Sequence, residues 1–273
     1  MHVFQVGAGS GGIVVLDLLS REPSVTGVTL VEQDVFAPHN VNRHLFPASA
    51  VGRLKADLAA EWVRERRPDL RIDAVVADLN DPARAVEFSE IAAECDVGVC
   101  AVDNEPAKYA FDALLRGAGK SWTLGEVLSG GIGGWVHRFT PGGACYGCVA
   151  SRLQRSVTEA QPAPMPDYSA PGGPARETTV PASRASIAAI AALHAAVTVD
   201  VLAGEPVDPN GDCDSRLFSL KRVAGVFDEP YRSYRFRTPR SPTCLVCGQP
   251  PRPETGGDLD VALGQALDRL APQ

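Results

Sequence analysis

Hydrophobic residues along the first half of the chain come in short unbroken runs, and stretches with helical periodicity separate them. VFQVGAG (Val3–Gly9) reads as a buried strand, and GGIVVLDLLSREP from Gly11 as a helix ended by Pro23. VTLVEQD (Val28–Asp34) is a second strand. KADLAAEWVRERRP (Lys55–Pro68) places apolar residues at 58, 59, 62 and 63, one face of a helix. RIDAVVADL (Arg71–Leu79) is strand-like, ARAVEFSEIAAE is helical, and CDVGVCAVDN (Cys95–Asn104) is another buried strand. AKYAFDALLRGAG continues the alternation as a helix and SWTLGEV as a strand. Continuous apolar runs belong to strands covered on both faces, and strands alternating with helices give a parallel sheet. The pattern predicts an α/β fold, a doubly wound Rossmann-like sheet with helices on both sides.

The second half changes character. SGGIGGWVHRFTPGGACYGC (Ser129–Cys148) sets turn glycines around a strand and ends in a CxxC. Residues 160–183, AQPAPMPDYSAPGGPARETTVPAS, have little to bury and are expected to form a long mobile loop. A helix follows at about 184–203. RLFSLKRVAGVF and YRSYRFRT read as a pair of hairpin strands, and CLVC stands at 244–247. LDVALGQALDRL repeats apolar residues at 259, 263, 266, 267 and 270, the spacing of an amphipathic tail helix.

Length and charge narrow the partners. The chain has 273 residues, 26 of them basic and 33 acidic, for a net charge of −7. A sequence-independent nucleic-acid binder needs a basic face that releases counterions, so nucleic acid is not an expected partner. No stretch reaches the ~20 uncharged apolar residues of a bilayer span. The richest, IAAIAALHAAVTVDVLA from Ile187, is broken by His194 and Asp200, and no membrane partner is expected. The N-terminus lacks a signal-peptide pattern, so a cytoplasmic location is the expectation. Seven cysteines in a reducing compartment point to metal or catalysis before disulfides.

Gly7, Gly9 and Gly12 form GxGxxG between the first strand and the first helix. Glycines there allow a tight turn and close approach to a phosphate, and the helix N-terminus offers N–H donors. Glu32 ends the second strand, 20 residues after Gly12, where an acidic group can hold ribose hydroxyls. The glycine motif alone does not separate a dinucleotide from ATP. The polar cluster that follows, Asp34, His39, Asn40, Asn42, Arg43, His44 and Lys55, suits a triphosphate. Arg43 can fork two phosphate oxygens, Lys55 adds a compact positive charge, and Asn40 a neutral donor. Asp103 follows the fourth strand at the ligand-binding sheet edge and could hold Mg²⁺.

The motifs VGAGSGG, LVEQDVFAPHNVNRHLF, GRLKAD, CAVDN, ACYGC and CLVCG occur in an order and spacing that resemble the ThiF/HesA/MoeB superfamily, over residues 1 to about 248. The resemblance implies ATP-dependent adenylylation of the C-terminal carboxylate of a ubiquitin-like protein or a Gly-tailed peptide, with release of pyrophosphate. It puts Glu32 on the ribose, Asn40, Arg43 and Lys55 at the phosphates, and Asp103, followed by Asn104, at the Mg²⁺/phosphate position. Arg43, Lys55 and Mg²⁺ on Asp103 would act by positioning and charge neutralisation, since the attacking carboxylate is already ionised. The implied acceptors downstream are a sulfur donor or a conjugating-type partner, and a homodimer is the expected assembly. The family usually has Arg a few residues after the DN pair, where Lys108 is the nearest cation here, and often Gln where His44 stands. The chain begins two residues before the first strand, without the helical segment from which many relatives send an arginine into a partner's site. An NAD(P)-dependent oxidoreductase with the same glycine loop, and a degenerate partner-binding scaffold, are the alternative readings.

Cys145, Cys148, Cys244 and Cys247 make two CxxC pairs separated by 95 residues. Four thiolates in two knuckles suit tetrahedral Zn²⁺, and the resemblance implies a structural zinc with no open position. The expected domain is 1–248: a nucleotide-binding half at 1–128, the crossover loop at 160–183, and a zinc-pinned half at 129–159 and 184–248, with 249–273 as a helical tail. Cys95 and Cys100 read as core, and Cys213 sits in a polar turn between aspartates. His137 and His194 read as packed or solvent-edge histidines, and Arg64, Arg66 and Arg67 as a solvated helix end. The glycines at 130–134 fit equally a turn or the lining of a channel for a thin Gly-rich tail. Ubiquitin-activating relatives carry a cysteine in or near the crossover loop, yet 149–212 contains none and reads RETTVPAS there, with Glu177 and Thr178.

Overall fold

The computed structural model describes residues 1–153, 181–204 and 215–248. Most of the crossover loop, Glu177 and Thr178, Cys213 and the tail helix lie outside the described residues.

The chain builds one eight-stranded sheet from β1 (His2–Val6), β2 (Gly27–Val31), β3 (Arg71–Val75), β4 (Val97–Cys100), β5 (Trp122–Val127), β6 (Gly133–Phe139), β7 (Ser215–Ser219) and β8 (Ser233–Phe236). Strand order is β3-β2-β1-β4-β5-β6-β7-β8. The first five strands pair in parallel and the last three add antiparallel. The helices are α1 (Gly12–Ser20), α2 (Lys55–Arg66), α3 (Ala85–Glu94), α4 (Glu105–Gly117), α5 (Tyr146–Leu153) and α6 (Arg184–Leu202). The strands expected from apolar runs are all present but shorter, because each run extends into the loop beyond the last ladder bond.

Two cores sandwich the sheet, as double winding requires. One joins α1, α2 and α6 to one face through Leu16, Leu19, Leu58, Val63, Ala191 and Ala195. The other joins α3, α4 and α5 to the opposite face through Phe88, Phe111, Leu115, Trp122, Phe139 and Val149. Trp122 stacks on Phe139 across β5 and β6 at a centroid distance of 4.0 Å, binding the parallel half to the antiparallel extension. α6 has the length and hydropathy of a membrane-crossing helix, yet half of its apolar window is buried in the protein. Its buried face meets α1 on one side and β5 and β6 on the other.

Strand order reverses between β1 and β4, and ligands of such sheets bind in the crevice at the carboxyl ends of the strands flanking that point. The turn after β1 meets the turn after β4 there, since Gly7 lies against Ala101. The arginines expected to solvate the end of α2 are instead ties. Arg66 stacks on Trp62 at 3.4 Å, Arg67 donates to the Ser20 carbonyl at 2.8 Å, and Arg64 to that of Ile72 at 3.2 Å.

Candidate active site

The glycine turn is built for close approach. Gly7 has φ +91°, and a Cβ there would lie 2.6 Å from the carbonyl oxygen of Ala101. A Cβ on Gly12 would collide with the Gly7 carbonyl, whereas Gly9 faces open space. Gln5, fully buried in β1, supports the turn from below by donating Nε2–H to the carbonyls of Gly7 (2.9 Å) and Gly12 (2.8 Å). Gly11 caps α1 without a side-chain partner, and no acid occupies the first turn. The open N–H groups of a helix start together with its dipole favour an anion.

Ala8 is clamped from both sides. Its N–H donates to Glu32 Oε2 at 2.7 Å, and its carbonyl accepts from His44 Nε2 at 3.0 Å. Glu32 Oε1 also accepts from the N–H of Asp34 at 2.8 Å, so the buried carboxylate expected on a ribose already holds the glycine loop to β2. His44 Nδ1 accepts from the Phe46 N–H at 3.4 Å, which puts the ring proton on Nε2. Burial pushes the His44 pKa down to about 4; the Ala8 contact opposes the shift, and the charges of Lys55, Arg184 and Arg43 add to it. Burial likewise brings His194 to about 4, partly offset by its contact with Thr123.

Both histidines fold neutral, so the unfolded chain binds more protons between about pH 4 and 6.5. Stability from this source is fully present above pH 6.5 and is lost as pH falls toward 4, on the order of 3 kcal/mol for each histidine. A melting temperature flat above pH 6.5 and falling steeply from pH 6 to 4.5 is the expected result. Equal melting temperatures at pH 7 and pH 5 would contradict it.

The polar cluster after β2 folds into a 3-10 turn, Pro38–Arg43. Asn40, expected as a phosphate donor, is buried, and its Oδ1 caps the turn by accepting from the Ala37 N–H at 2.9 Å. Lys55 begins α2 with its side chain only 8% exposed, and its Nζ donates to Asp34 Oδ2 at 2.7 Å. Arg43 ends the turn, and its Nε is buried with no hydrogen-bond partner. Buried guanidinium N–H groups are seldom left without an acceptor, and an anion over the glycine loop would supply one. Asp103 is exposed three residues beyond β4 and makes no ion pair among the described residues. Asn104 caps α4 by accepting from the Ala107 N–H at 2.9 Å.

Lys108 does not reach into the crevice as a free cation. Its ammonium, 5% exposed, donates to Glu105 Oε1 at 2.7 Å and to Glu126 Oε1 at 2.5 Å. Glu126 Oε2 meets His137 Nε2 at 3.3 Å, and His137 Nδ1 meets Ser215 Oγ at 2.8 Å. Burial alone would raise the Glu126 pKa, but His137 and Lys108 hold it down at about 2. The network ties α4 to β5, β6 and β7 along the ligand-binding edge. His137 and His194 are therefore both packed histidines, hydrogen-bonded to Ser215 and Thr123. Of the glycines at 130–134, Gly130 and Gly131 form a turn with φ of +70° and +61°, and Gly133 and Gly134 open β6.

The four candidate metal ligands converge, with all sulfurs within 4.8 Å of one another. Cys145 Sγ lies 3.7 Å from Cys148 and 3.5 Å from Cys244, and Cys148 lies 3.5 Å from Cys247. Metal–sulfur bonds of about 2.3 Å in a tetrahedron put sulfurs ~3.8 Å apart, so the donor set fits one such ion. Backbone N–H groups of Cys148, Ser241 and Val246 point at the sulfurs of Cys145, Cys148 and Cys244, each at 3.4 Å. Tyr146, next to the first ligand, ties the cluster's segment to α4 by two bonds. Its N–H donates to the buried Asp112 at 3.2 Å and its hydroxyl to Glu105 Oε2 at 2.8 Å. Cys95 and Cys100 are core residues whose thiols burial pushes up to about 11 and about 12.

The sequence reading missed α5, the Lys108 network, the Gln5 support and Arg184, whose guanidinium donates to the His44 carbonyl. A glutamine inside the VFQV strand was a visible signal, because a polar side chain in a fully buried run needs local partners. Nothing local marked Arg184, whose contact spans 140 residues.

Residues 1–246 match the model of the ThiF family. The chain is 26% identical over 250 residues to the SAMP-activating enzyme E1 of Haloferax volcanii, covering 91% of this chain and 80% of that protein. It is 25% identical over 152 residues to ubiquitin-like modifier-activating enzyme 5 of Bombyx mori, covering 53% of this chain and 38% of the relative. Among solved structures, the fold resembles that of E. coli MccB with ATP at a TM-score of 0.63 and 18% identity, over 90% of this chain and 66% of that one.

Proposed function

This chain belongs to the ThiF family of adenylating enzymes, and from that premise we propose that it activates the C-terminal carboxylate of a ubiquitin-like protein or peptide with ATP. The carboxylate oxygen forms a bond to the α-phosphorus, the bond from that phosphorus to the bridging oxygen breaks, and pyrophosphate leaves. The observation that carries this reading is Arg43, with a buried Nε lacking a partner beside a glycine loop that is open above Gly9. In the proposed complex the triphosphate lies over that loop, Arg43 and Lys55 face its oxygens, and Glu32 and Asp34 border the ribose. Asn40 and Asn104 hold the flanking turns, and Asp103 with Asn104 offers a place for Mg²⁺. The four cysteines would hold a structural Zn²⁺ with every position filled. The proposed setting is cytoplasmic, the assembly a homodimer, and the partner a body with a thin Gly-rich tail. ATP–pyrophosphate exchange that requires the partner is the direct test; absence of exchange with every small Gly-Gly-ending protein encoded beside this chain would overturn the proposal.

The acyl-adenylate is proposed to pass directly to an outside nucleophile: a sulfur donor, an amine or the cysteine of a conjugating partner. Residues 149–212 hold no cysteine. Of the others, Cys95 and Cys100 are buried with raised pKa values, and four belong to the sulfur cluster. A carboxylate or an unassisted hydroxyl is a poor substitute for a thiol. Denaturing gels of enzyme, partner and ATP are expected to show no reductant-sensitive adduct. Such an adduct persisting in Cys213→Ala would show that an internal thioester forms elsewhere.

A further inference from the structure

Arg184 opens α6, just where that helix reaches the nucleotide crevice. A Cβ on Gly11 would lie 3.7 Å from Ile187 Cγ2, so the first turn of α6 abuts the N-terminus of α1 and the glycine loop. The Arg184 guanidinium donates one N–H to the carbonyl of His44, the residue that follows Arg43. Arg184, Arg43 and Lys55 all bear electrostatically on the His44 ring, so three cations are gathered around one neutral imidazole.

Their charges are not equally available. Asp34 neutralises Lys55 at 2.7 Å. Among the described residues, neither Arg43 nor Arg184 makes an ion pair, and Arg184 is exposed. A triphosphate over the glycine loop would therefore meet two uncompensated guanidinium groups. A guanidinium has five donors in a rigid fork, so one arm can stay on the His44 carbonyl while the other meets a phosphate oxygen.

We propose that Arg184 is a further nucleotide-binding residue, a second uncompensated cation for the β- and γ-phosphates, delivered to the glycine loop by the second half of the chain. The inference rests on the ATP reading above. Its contact falls on the phosphates that depart as pyrophosphate, so it discriminates by the length of the phosphate chain.

Isothermal titration of the full chain with ATP and with AMP, for wild type, Arg184→Ala and Arg184→Lys, tests it. Loss of a charge-assisted contact predicts ~10–100-fold weaker ATP binding by Arg184→Ala and AMP binding changed less than about twofold. Arg184→Lys keeps a donor for the His44 carbonyl and the charge but loses the fork, and is expected to fall in between. If Arg184→Ala does not fold, the lysine variant carries the comparison alone, with ATP still weakened more than AMP. Undiminished ATP affinity in a variant would overturn the inference while leaving the ATP reading intact. Equal weakening for ATP and AMP would also overturn it, by reducing Arg184 to a brace for the glycine loop. A wild-type chain that binds no ATP would instead overturn the nucleotide reading itself.

Discussion

Arg43→Ala is expected to reduce partner-dependent ATP–pyrophosphate exchange by at least ~100-fold, which corresponds to roughly 3 kcal/mol of charge stabilisation at a desolvated phosphate. Arg43 has a buried Nε with no hydrogen-bond partner, so on the ATP reading its removal takes away a donor and one of the uncompensated charges offered to the phosphates. Lys55→Ala is expected to lose as much by a different route. The Lys55 ammonium holds Asp34 at 2.7 Å, so its loss removes a positive charge and also leaves a carboxylate uncompensated beside the phosphates. Lys55→Ala combined with Asp34→Asn should then recover part of what the single variant loses. Asp103→Ala is expected to abolish both the activity and its Mg²⁺ dependence. Wild-type exchange rates in Lys55→Ala would remove the nucleotide-site assignment.

Cys247→Ser is expected to lower bound zinc from about one ion per chain to none and to drop the melting temperature by at least ~10 °C, because the free energy of binding a structural metal is folding free energy. The consequence should reach beyond the cluster. Cys145 adjoins Tyr146, whose hydroxyl holds Glu105 at the start of α4, and Glu105 with Glu126 holds Lys108. Metal loss should therefore weaken exchange even in the fraction that stays folded. Metal analysis of freshly purified, reduced wild-type protein showing no zinc would sink this account.

The parallel half was legible in the sequence because its strands are buried on both faces and its helices on one, so periodicity alone separates them. The glycine turn and the position of Asp103 beyond β4 followed from the same alternation. The two CxxC pairs were legible as chemistry, and the structure brings their sulfurs together. What the pattern could not show was the second duty of the polar residues. Glu32, Asn40 and Asn104 looked like groups waiting for a ligand, yet each satisfies backbone N–H groups of the loop that carries it. α5 escaped because its eight residues, YGCVASRL, carry a glycine and a ligand cysteine instead of a clear apolar stripe. The Lys108 network joins residues from α4, β5, β6 and β7, a convergence that no sequence window contains.

The packing of α6 against the glycine turn also fixes when, during synthesis, the crevice can be completed. β1 to β5 pair only with one another and with β6, and the glycine turn and Arg43 leave the ribosome early. The flank that Ile187 supplies to Gly11 emerges about 140 residues after Arg43. At translation speeds of about 5–20 residues per second, that interval is on the order of 10 s. A nascent chain therefore carries an exposed glycine turn and a bare face of α1 for the whole of that time. Chains interrupted before α6 would hold most of the nucleotide-binding motifs and none of the wall behind them. Chains that end before Arg184, where α6 begins, should then be insoluble or chaperone-bound, not a smaller working enzyme.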